Sequence, residues 1–258
     1  MAVSKGEVAM SGSVLFVGES WSSIGFHLKG FSVYTTGGYE EGGKPLIDAL
    51  ENSGHPVTYV RNHEVDSQFP IIAKKLEKYG AVVLSDVPAD TFLLHPDTLG
   101  KSIIRPNSLR EMAEYVENGG GFLMVGGYMS FSGFEGKARY QNTAIADILP
   151  VTMLGTDDRI EMPEGVTPEV VADHPILEGL EAKWPPFLGY QRLVAKPDAQ
   201  VLMTIGNDPF LVLGRYGKGR VAAFASDCSP HWGPPEFLNW PSYTPFWSRL
   251  IDWLSETD

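Results

Sequence analysis

The chain has 258 residues, of which 43% are hydrophobic, and its 28 glycines and 19 prolines indicate a globular protein with many turns. Its 20 basic and 32 acidic residues give a net charge of −12, which argues against nucleic acid or an anionic membrane surface as a partner. A single cysteine, Cys228, excludes an internal disulfide, and no apolar run resembles a secretion signal or approaches the ~20 residues of a membrane span, so we expect a cytoplasmic protein.

Predicted strands and helices alternate along the first half of the chain. Apolar runs predict buried strands over residues 13–17, 57–60, 81–84 and 121–125. Helices are predicted over about 43–52, 67–79 and 109–118. Because alternating strands and helices form a parallel sheet with right-handed crossovers, we predict an α/β fold with a flavodoxin-like, doubly wound, mostly parallel sheet and helices on both faces.

The segment between the first strand and the first helix departs from this pattern. Residues 22–41 (SSIGFHLKGFSVYTTGGYEE) are rich in aromatic residues and glycine and show no clear periodicity. They would make a long loop, and long loops in compact domains are usually functional. We therefore expect a functional loop here.

The second half of the chain changes character near residue 150. Residues 150–200 hold many prolines and acidic residues, which predicts short strands and loops that elaborate one edge of the sheet. Strands are predicted again over 201–205, 210–213 and 220–225, and a final helix over 243–254. The short glycine-containing connections between these strands favour hairpins, so we predict an antiparallel C-terminal extension. We take residues 1–258 as a single domain whose residues 1–12 are flexible.

Residues 119–140 (GGGFLMVGGYMSFSGFEGKARY) form the centre of the predicted site. The strand over 121–125 runs into a glycine-paired turn that carries Tyr128, Met129 and Ser130, and a helix is expected after the turn. In open α/β sheets, ligands bind beyond the carboxyl ends of the strands. This turn therefore lies where chemistry is expected.

Four predicted strands end in polar or aromatic residues. These residues are Glu19, Ser20 and Trp21; Asp86; Tyr128, Met129 and Ser130; and Asp227, Cys228, His231 and Trp232. Because parallel strands bring their carboxyl ends to one edge, we expect these residues to converge on a pocket. The structural alternative is that Glu19 and Asp86 cap helices, that the tryptophans are packing residues and that His231 is a satisfied structural histidine.

Two catalytic groupings can be drawn from these residues. Cys228 and His231 have the spacing that can bring a thiol next to an imidazole, as thiolate activation requires. Ser130 with His231 and an acid such as Asp86, Glu19 or Asp227 would make a serine-type triad.

Metal and cofactor signatures are weak throughout the sequence. The acidic segment with Asp157, Asp158, Arg159, Glu161 and Glu164 lacks EF-hand spacing, and we interpret it as a solvated or self-paired loop. The histidines show no HExxH or Cys/His ligand spacing, and no Walker loop or GxGxxG motif occurs. We therefore predict no bound metal and no cofactor.

Several runs spread over nearly the whole chain resemble a known family. They are GESW at 18–21, LSDVPADTFLL at 84–94, GGGFLMVGGYMSFSGFEGKARY at 119–140, LPV at 149–151, DDRIEMPEG at 157–165, HPILEGL at 174–180, YGKGR at 216–220 and SDCSPHWGPPEF at 226–237. These runs resemble the putative glutamine amidotransferase branch of the class I glutamine amidotransferase-like superfamily, and HPILEGL also resembles the related ThuA-like proteins, which are linked to sugar utilisation. The resemblance implies a flavodoxin-like sheet in a cytoplasmic protein.

The resemblance does not extend to the family nucleophile. Working class I amidotransferases place a cysteine in a GxCxG elbow after a central strand and take a histidine and a glutamate from a late segment. In this chain the elbow position falls on Tyr128 or Met129, while His231 lies in the late region between Pro230 and Trp232. The resemblance thus implies the fold without the usual glutaminase nucleophile.

Three functional hypotheses follow from the sequence. The first is a pocket for a small polar ligand, a sugar or an amino-acid derivative, with Trp21, Tyr128 and Trp232 as stacking walls. The second is a hydrolase of an amide, ester or lactone that uses His231 with Ser130, Cys228 or an activated water. The third is an assembly role in which residues 26–39 pack against a neighbouring subunit of a homo-oligomer.

Overall fold

The computed structural model describes residues 12–256, and an eight-stranded sheet forms its centre. The predicted flexibility of residues 1–12 concerns a segment that, apart from Gly12, lies outside this range. The strands are β1 Val14–Gly18, β2 Ser20–Lys29, β3 Ser32–Glu41, β4 Val57–Val60, β5 Ala81–Ser85, β6 Gly121–Val125, β7 Val151–Met153, β8 Arg159–Val166, β9 Glu169–Val170, β10 Phe187–Gln191, β11 Leu193–Ala195, β12 Gln200–Ile205, β13 Asp208–Tyr216 and β14 Gly219–Phe224.

Nine α-helices occur in residues 12–256. They are α1 Lys44–Asn52, α2 Val65–Gln68, α3 Ala73–Leu76, α4 Ala89–Leu93, α5 Pro96–Lys101, α6 Ser108–Glu117, α7 Ala144–Ile148, α8 Pro235–Leu238 and α9 Tyr243–Ser255. Short 3₁₀ turns cover Asn62–Glu64, Phe134–Gly136, Tyr140–Asn142 and Pro175–Leu177. No helix within residues 12–256 is long and apolar enough to cross a membrane.

The central sheet has the order β4-β1-β5-β6-β14-β13-β12-β9. The first five strands pair in parallel, and in chain order they follow the 2-1-3-4-5 arrangement of flavodoxin-like sheets. Strands β1, β5, β6 and β14 are buried along their whole length, as expected for strands covered on both faces. Helix α1 packs on α9, whereas α3, α4 and α7 pack around α6, so the predicted α/β class is confirmed.

The antiparallel C-terminal extension is also confirmed. Strands β12, β13 and β14 form two successive hairpins with two-residue turns at 206–207 and 217–218. Gly206 and Gly217 have φ values of 57° and 56°, which lie in the left-handed region that glycine adopts without steric cost. The short β9 adds the last antiparallel strand at this edge.

The segment expected to be a loop after β1 is a β-hairpin. Strands β2 and β3 pair over ten residues each, from Ser20 with Glu41 to Lys29 with Ser32. The sequence did not indicate these strands, because neither face of the hairpin is buried. Polar and apolar residues therefore do not alternate along them, as they do in a strand with one buried face. We call residues 20–41 the arm.

Two helix predictions were wrong in their extent. The single helix expected over 67–79 is divided into α2 and α3, because Pro70 and the extended backbone of Phe69 interrupt it. The helix expected directly after the turn at residues 126–130 does not form, since Phe131, Gly133 and Glu135 all have positive φ. The chain instead makes two 3₁₀ turns before α7. The short helices α4, α5 and α8 were not predicted.

Residues 150–200 form short strands, as predicted, and part of them lies over the site. Strand β8 pairs with β10, and β7 pairs with β11, in two small antiparallel sheets outside the central one. The side chains of β8 contact the turn after β6 through Glu161 and Tyr128. This segment therefore contributes to the carboxyl end of the sheet.

Candidate functional site

The four strand ends chosen from the sequence meet at one edge of the sheet. Strands β1, β5, β6 and β14 are consecutive neighbours and run in parallel, so their carboxyl ends lie side by side. Because each end carries polar or aromatic residues, the topology places the candidate residues next to one another. We call this region the carboxyl edge.

Glu19 is the most constrained of these residues. Its side chain is buried and accepts hydrogen bonds from Ser85 Oγ at 2.5 Å and from Ser229 Oγ at 2.7 Å. Its backbone carbonyl accepts from the Tyr59 hydroxyl and from the Gly42 amide. Glu19 is thus fixed between the ends of three strands.

Asp227 and Cys228 are buried beside Glu19. The Asp227 Oδ1 atom accepts from the Ser229 amide at 3.0 Å and lies 3.0 Å from Ser229 Oγ. Since a hydroxyl has one proton and Ser229 Oγ contacts both carboxyl groups, one of the two, Glu19 or Asp227, must carry a proton for both contacts to be hydrogen bonds. Cys228 Sγ lies 3.7 Å from Ser85 Oγ.

Burial raises the pKa of each carboxyl group at this edge. The pKa of Glu19 rises to about 7, chiefly through burial and then through repulsion from Asp86. Burial also raises the pKa of Asp227 well above its usual value, with repulsion from Glu19 and Asp86 adding to it. The pKa of Asp86 is raised by burial, against the hydrogen bond from the Met129 amide and the charge of His231. At neutral pH the group therefore retains protons and can donate hydrogen bonds as well as accept them.

The same surroundings make Cys228 a poor nucleophile. Burial raises the pKa of its thiol well above the usual value, and the charges of Glu19 and Asp227 raise it further. The thiolate is the reactive form of cysteine, so a raised pKa disfavours that form at neutral pH. A Cys228–His231 pair is not assembled either, because no hydrogen bond within residues 12–256 joins the two side chains.

Donor atoms of Glu19, Asp227 and Cys228 all lie within 4.8 Å of one another, which is a spacing that a metal ion could bridge. Both carboxylate oxygens of Glu19 are already occupied by serine hydroxyls. Hard cations prefer more oxygen ligands than this group offers, and a thiol with so high a pKa resists the deprotonation that metal binding requires. The arrangement fits a proton-sharing carboxyl cluster better than a metal centre.

Asp86 ties the end of β5 to the turn after β6. Its Oδ1 atom accepts from the Met129 amide at 2.7 Å, and its own amide donates to Ser130 Oγ at 3.0 Å. On the other side of the turn, Gln191 Nε2 donates to the Gly127 carbonyl. These contacts fix the position of the glycine-paired turn. Gln191 was not identified as a site residue from the sequence.

An aromatic wall stands beside these carboxyl groups. The rings of Tyr128 and His231 meet edge to face with centroids 4.3 Å apart, and the His231 ring stacks on Trp232 at 5.3 Å. Glu161 accepts hydrogen bonds from the Tyr128 hydroxyl at 2.9 Å and from Trp232 Nε1 at 3.0 Å. The guanidinium of Arg159 lies 4.6 Å from the centre of the Tyr128 ring.

The acidic segment around β8 was only partly understood from its sequence. Asp157 pairs with Arg159 at 2.8 Å, which agrees with the expected self-pairing. Asp158 is instead buried and accepts from the amides of Ser132 and Gly133, each at 2.9 Å. Neither Asp158 nor the contacts of Glu161 could be found from spacing alone, because their partners lie more than twenty residues away in the chain.

His231 is exposed and makes no side-chain hydrogen bond with any residue of the described part of the chain. Burial of part of its ring is the largest cause of a lowered pKa, while Glu161 and Asp86 act in the opposite direction. The imidazole is therefore neutral at pH 7, with ring nitrogens available to a ligand. Because Ser130 Oγ is buried and bound to the Asp86 amide, the serine-type triad is not assembled.

Three of these residues have strained backbones. Glu19, Asp86 and His231 have φ values of 47°, 45° and 122°, although none of them is glycine. Residues held in such conformations occur mainly where function requires an exact side-chain position. Each of the three follows a different strand of the sheet, whereas the other non-glycine residues with positive φ (Ser102, Phe131, Glu135 and Arg139) do not directly follow a strand.

Ser20 and Trp21 lie at the root of the arm. Ser20 Oγ accepts from the Asn62 amide at 2.9 Å, which makes Ser20 a structural residue in this conformation. Trp21 is exposed and lies next to Gly42, where an added Cβ would be 3.2 Å from the Trp21 ring and 2.8 Å from Glu19 Oε2. Trp21 thus flanks the carboxyl edge on the side of the arm.

The structural alternative for Glu19 and Asp86 does not hold. Helix α1 begins after Gly43 and helix α4 after Pro88, and neither helix has a side-chain cap. The two carboxyl groups therefore do not serve as helix caps. His231 likewise lacks the hydrogen bonds of a satisfied structural histidine, whereas Trp232 is a buried packing residue as well as part of the wall.

Comparisons with known proteins cover nearly the whole chain. A family model described as putative glutamine amidotransferase matches residues 13–256. The solved structure of cytoplasmic protein STM3548 from Salmonella typhimurium is 46% identical, with 94% of this chain and 98% of that chain covered and a TM-score of 0.91. Cytoplasmic protein STM1381 from Salmonella typhimurium LT2 is 45% identical, with 95% and 100% covered and a TM-score of 0.92.

A ThuA-like protein from Bacteroides uniformis is 12% identical, with 95% of this chain and 99% of that chain covered and a TM-score of 0.48. No curated protein matches the chain.

Proposed function

The chain belongs to the putative glutamine amidotransferase family, and from that premise we propose that it binds a small polar ligand, a sugar or an amino-acid derivative, at the carboxyl edge of its sheet. The observation that carries the proposal is the convergence of Glu19, Asp86 and His231 beyond the carboxyl ends of β1, β5 and β14, each on a strained backbone. Strain at three separate strand ends costs stability and is retained where precise positioning serves a ligand.

The chemistry of the edge selects the class of ligand. Carboxyl groups that share protons can both accept from and donate to hydroxyl and amino groups. The neutral His231 ring and the face of Trp21 can contact the apolar face of a sugar ring or an aliphatic chain. An anion is disfavoured, since the edge holds the carboxyl groups of Glu19, Asp86 and Asp227 close together.

Glutamine hydrolysis by the family mechanism has little support in this chain. The elbow after β6 holds Tyr128 and Met129, and the single cysteine is buried after β14 with a raised pKa. The Met129 amide, at the elbow, is already engaged by Asp86. The proposal therefore assigns binding, and no thiol chemistry, to the family fold.

A hydrolase that activates water is the second candidate. It rests on the imidazole of His231, which is neutral and exposed and has no hydrogen-bond partner within the described residues. This imidazole is close enough to Asp86 for the charge of Asp86 to raise its pKa, against the larger effect of burial. Such an imidazole could accept a proton from a water that attacks an amide, ester or lactone. Ser130 and Cys228 are not part of this version, because both are buried and neither contacts His231.

A thermal-shift screen tests the binding proposal. The probes are neutral monosaccharides and L-amino acids, including L-glutamine, each used with wild type, Asp86→Asn and a control, Asp90→Asn. Asp90 is a nearby surface acid that pairs with Arg139 at 2.9 Å and is not part of the edge. A probe that binds the edge raises the Tm of wild type and of the control. Its affinity for Asp86→Asn falls at least about tenfold, because a buried polar group left without its hydrogen-bond partner costs about 1–3 kcal/mol.

Two results would contradict the proposal. One is equal affinity of wild type and Asp86→Asn for every probe that raises the Tm, which would place the ligand elsewhere. The other is the absence of any shift in Tm across the panel.

The hydrolase is tested by measuring the release of glutamate from glutamine by wild type and by His231→Gln. If the variant loses turnover but keeps its affinity for glutamine within a few-fold, the result favours catalysis over binding alone.

The same proposal includes two coarser properties. The two Salmonella relatives are described as cytoplasmic proteins, which supports a cytoplasmic location for this chain. The match of one family model to residues 13–256 supports its description as a single domain.

A further inference from the structure

The arm exposes an unusual amount of apolar surface. Every residue from 21 to 41 is exposed except Gly25, which is half-buried. Phe26 is 72% exposed, Leu28 75%, and Phe31 at the tip is fully exposed. Among residues 12–256, the ring of Tyr34 stacks on His27 of the same arm alone, at 4.7 Å. The arm therefore contributes almost no apolar burial to the rest of the chain.

An arm of this kind is not stable by itself in water. A two-stranded hairpin without a third layer is marginally stable at best. Its two outer edges also present unpaired backbone groups, which natural proteins normally cover. With ten residues in each strand, the arm reaches about 33 Å at ~3.3 Å per residue, further than contact with its own root requires. Its structure calls for a surface that covers it.

A second exposed apolar surface lies on the same chain. It is formed by Leu99, Ile103 and Ile104, of which Ile104 is 97% exposed. Beside it is a cavity of about 310 Å³ whose apolar lining includes Ile104 and Phe92. A cavity of about 150 Å³ is sufficient to take up benzene, so this one can accept an aromatic side chain. We call it the acceptor surface.

We propose that the arm docks on a second copy of this chain, with its apolar tip on the acceptor surface of that copy. One reciprocal contact then covers both uncovered surfaces, as in a twofold interface where residue i meets j and j meets i. The root of the arm and the cavity are close in each chain, because Asn62 binds Ser20 and Val65, three residues later, lines the cavity. In the proposed dimer, two arms exchanged about a twofold axis each place their tip at the partner's cavity.

Charge favours this occupant. The chain carries a net charge of −12, but residues 20–39 contain no acidic residue and Lys29 is their single formal charge. Two charged residues, Asp66 and Arg105, line the cavity, and the charge of Arg105 is offset by Asp97 at 3.0 Å, which leaves Asp66 to attract Lys29. Glu40 and Glu41 lie at the root of the arm, so the part that projects from the chain can approach an acidic second copy without repulsion.

The available area is sufficient for a stable dimer. Exposed aromatic side chains such as Phe26 and Phe31 bury on the order of 150 Å² or more each, and Leu28, which is 75% exposed, adds to this area. With the matching acceptor area and with two arms, the contact falls within the roughly 1,200–2,000 Å² of specific interfaces. The exposed apolar residues of the arm are therefore numerous enough to drive association.

Light scattering at several protein concentrations tests the proposal. We expect wild type to have twice the mass of one chain. In a variant with both Phe26→Ser and Phe31→Ser, the dissociation constant of the dimer should rise at least about tenfold. Ile104→Ser should have the same effect from the other side of the contact. Val194→Ser is the matched control. Val194 is an exposed apolar residue that belongs neither to the arm nor to the acceptor surface, so this variant should remain a dimer.

Cross-linking distinguishes contact between copies from contact within one. Differently tagged copies of Phe31→Cys and Ile104→Cys are mixed and treated with diamide, and we expect a disulfide that joins the two tags. Cys228 is buried and stays unreacted. Val194→Cys mixed with Phe31→Cys should give no such product. A wild type that is a monomer at every concentration, an arm variant with unchanged mass, or a mixture without the linked product overturns the proposal.

Discussion

The carboxyl edge and the arm begin at neighbouring residues, Glu19 and Ser20, and they break opposite rules of protein burial. At the carboxyl edge, Glu19 and Asp227 are buried although they can carry charge. In the arm, Phe26 and Phe31 are exposed although they are apolar. Each arrangement is costly in an isolated chain, and this cost is the basis of the two proposals, a polar ligand at the edge and an apolar surface at the arm.

The two regions also differ in how tightly they are packed. At the carboxyl edge the backbones of adjacent strands approach so closely that glycine is required, whereas the arm has open space around its turn. This difference predicts that equal substitutions have unequal effects on global stability. The contrast can be tested with glycines that share a positive φ.

The largest effect is expected for Gly18→Ala. Gly18 has a φ of 114°, and an added Cβ would lie 1.8 Å from the Ser85 carbonyl oxygen. The strands cannot separate without loss of their ladder, so we expect about 4 kcal/mol or more of lost unfolding free energy, measured by urea denaturation. Gly30→Ala is the matched control, because Gly30 has a φ of 58° and nothing lies within 4 Å of its added Cβ. It should cost about 1 kcal/mol. Equal losses would show that the edge is not tightly packed.

The next effect is a pH dependence that originates in Glu19. The pKa of Glu19 is about 7 in the folded chain and 4.5 when the side chain is free in solvent, so the folded state binds more protons between these pH values. Stability from this group is fully present below about pH 4.5 and is lost as the pH rises through about 7, where the buried group ionises. Asp158, whose pKa burial raises to about 6, acts in the same direction. We expect Tm to fall between pH 5 and pH 8.

Glu19→Gln isolates that dependence. The amide has nearly the shape of the protonated carboxyl group, and Ser229 can accept from it and donate to Asp227. The variant should be more stable than wild type at pH 8 by up to about 3 kcal/mol and should differ little at pH 5. A variant that is less stable than wild type at pH 8 would mean that ionised Glu19 stabilises the edge. Gain of stability with loss of ligand binding is the usual relation between stability and function at such sites.

These contrasts also show what could be predicted from the sequence. The parallel strands were found because β1, β5 and β6 are continuous apolar runs, and the site followed from topology, which brings Glu19 and Asp86 to one edge. Local patterns and strand order were sufficient for both. The arm was missed for a physical reason: a hairpin exposed on both faces has no buried face to impose alternation on its sequence.

The contacts inside the site could not be predicted in the same way. Glu161, Gln191 and Asp158 reach the turn after β6 from a distant segment, and their pairing depends on how the small sheets fold over the central one. The absence of a Ser130–His231 hydrogen bond was equally hidden, because side-chain direction depends on the positive φ of His231. Composition identifies which residues carry chemistry, whereas tertiary structure decides which of them meet.

The smallest predicted effect concerns the boundary between the two regions. Arg61 Nε donates to Glu41 Oε1 at 2.5 Å at the root of the arm, and both side chains are about one third exposed. Solvent screening limits such a pair to about 0.5 kcal/mol, so a double-mutant cycle of Glu41→Gln and Arg61→Gln should give a small coupling that falls in high salt.

A small coupling would mean that the arm and the carboxyl edge are separate energetic units joined at their root. A coupling of several kcal/mol, or one that salt does not reduce, would contradict this view. In that case the pair would fix the direction of the arm, and docking of a second copy would change the surroundings of Glu19. The change would pass through Tyr59, which lies under Arg61 and donates hydrogen bonds to the carbonyls of Gly18 and Glu19. The cycle measured with and without dimerisation therefore decides whether assembly can influence the site.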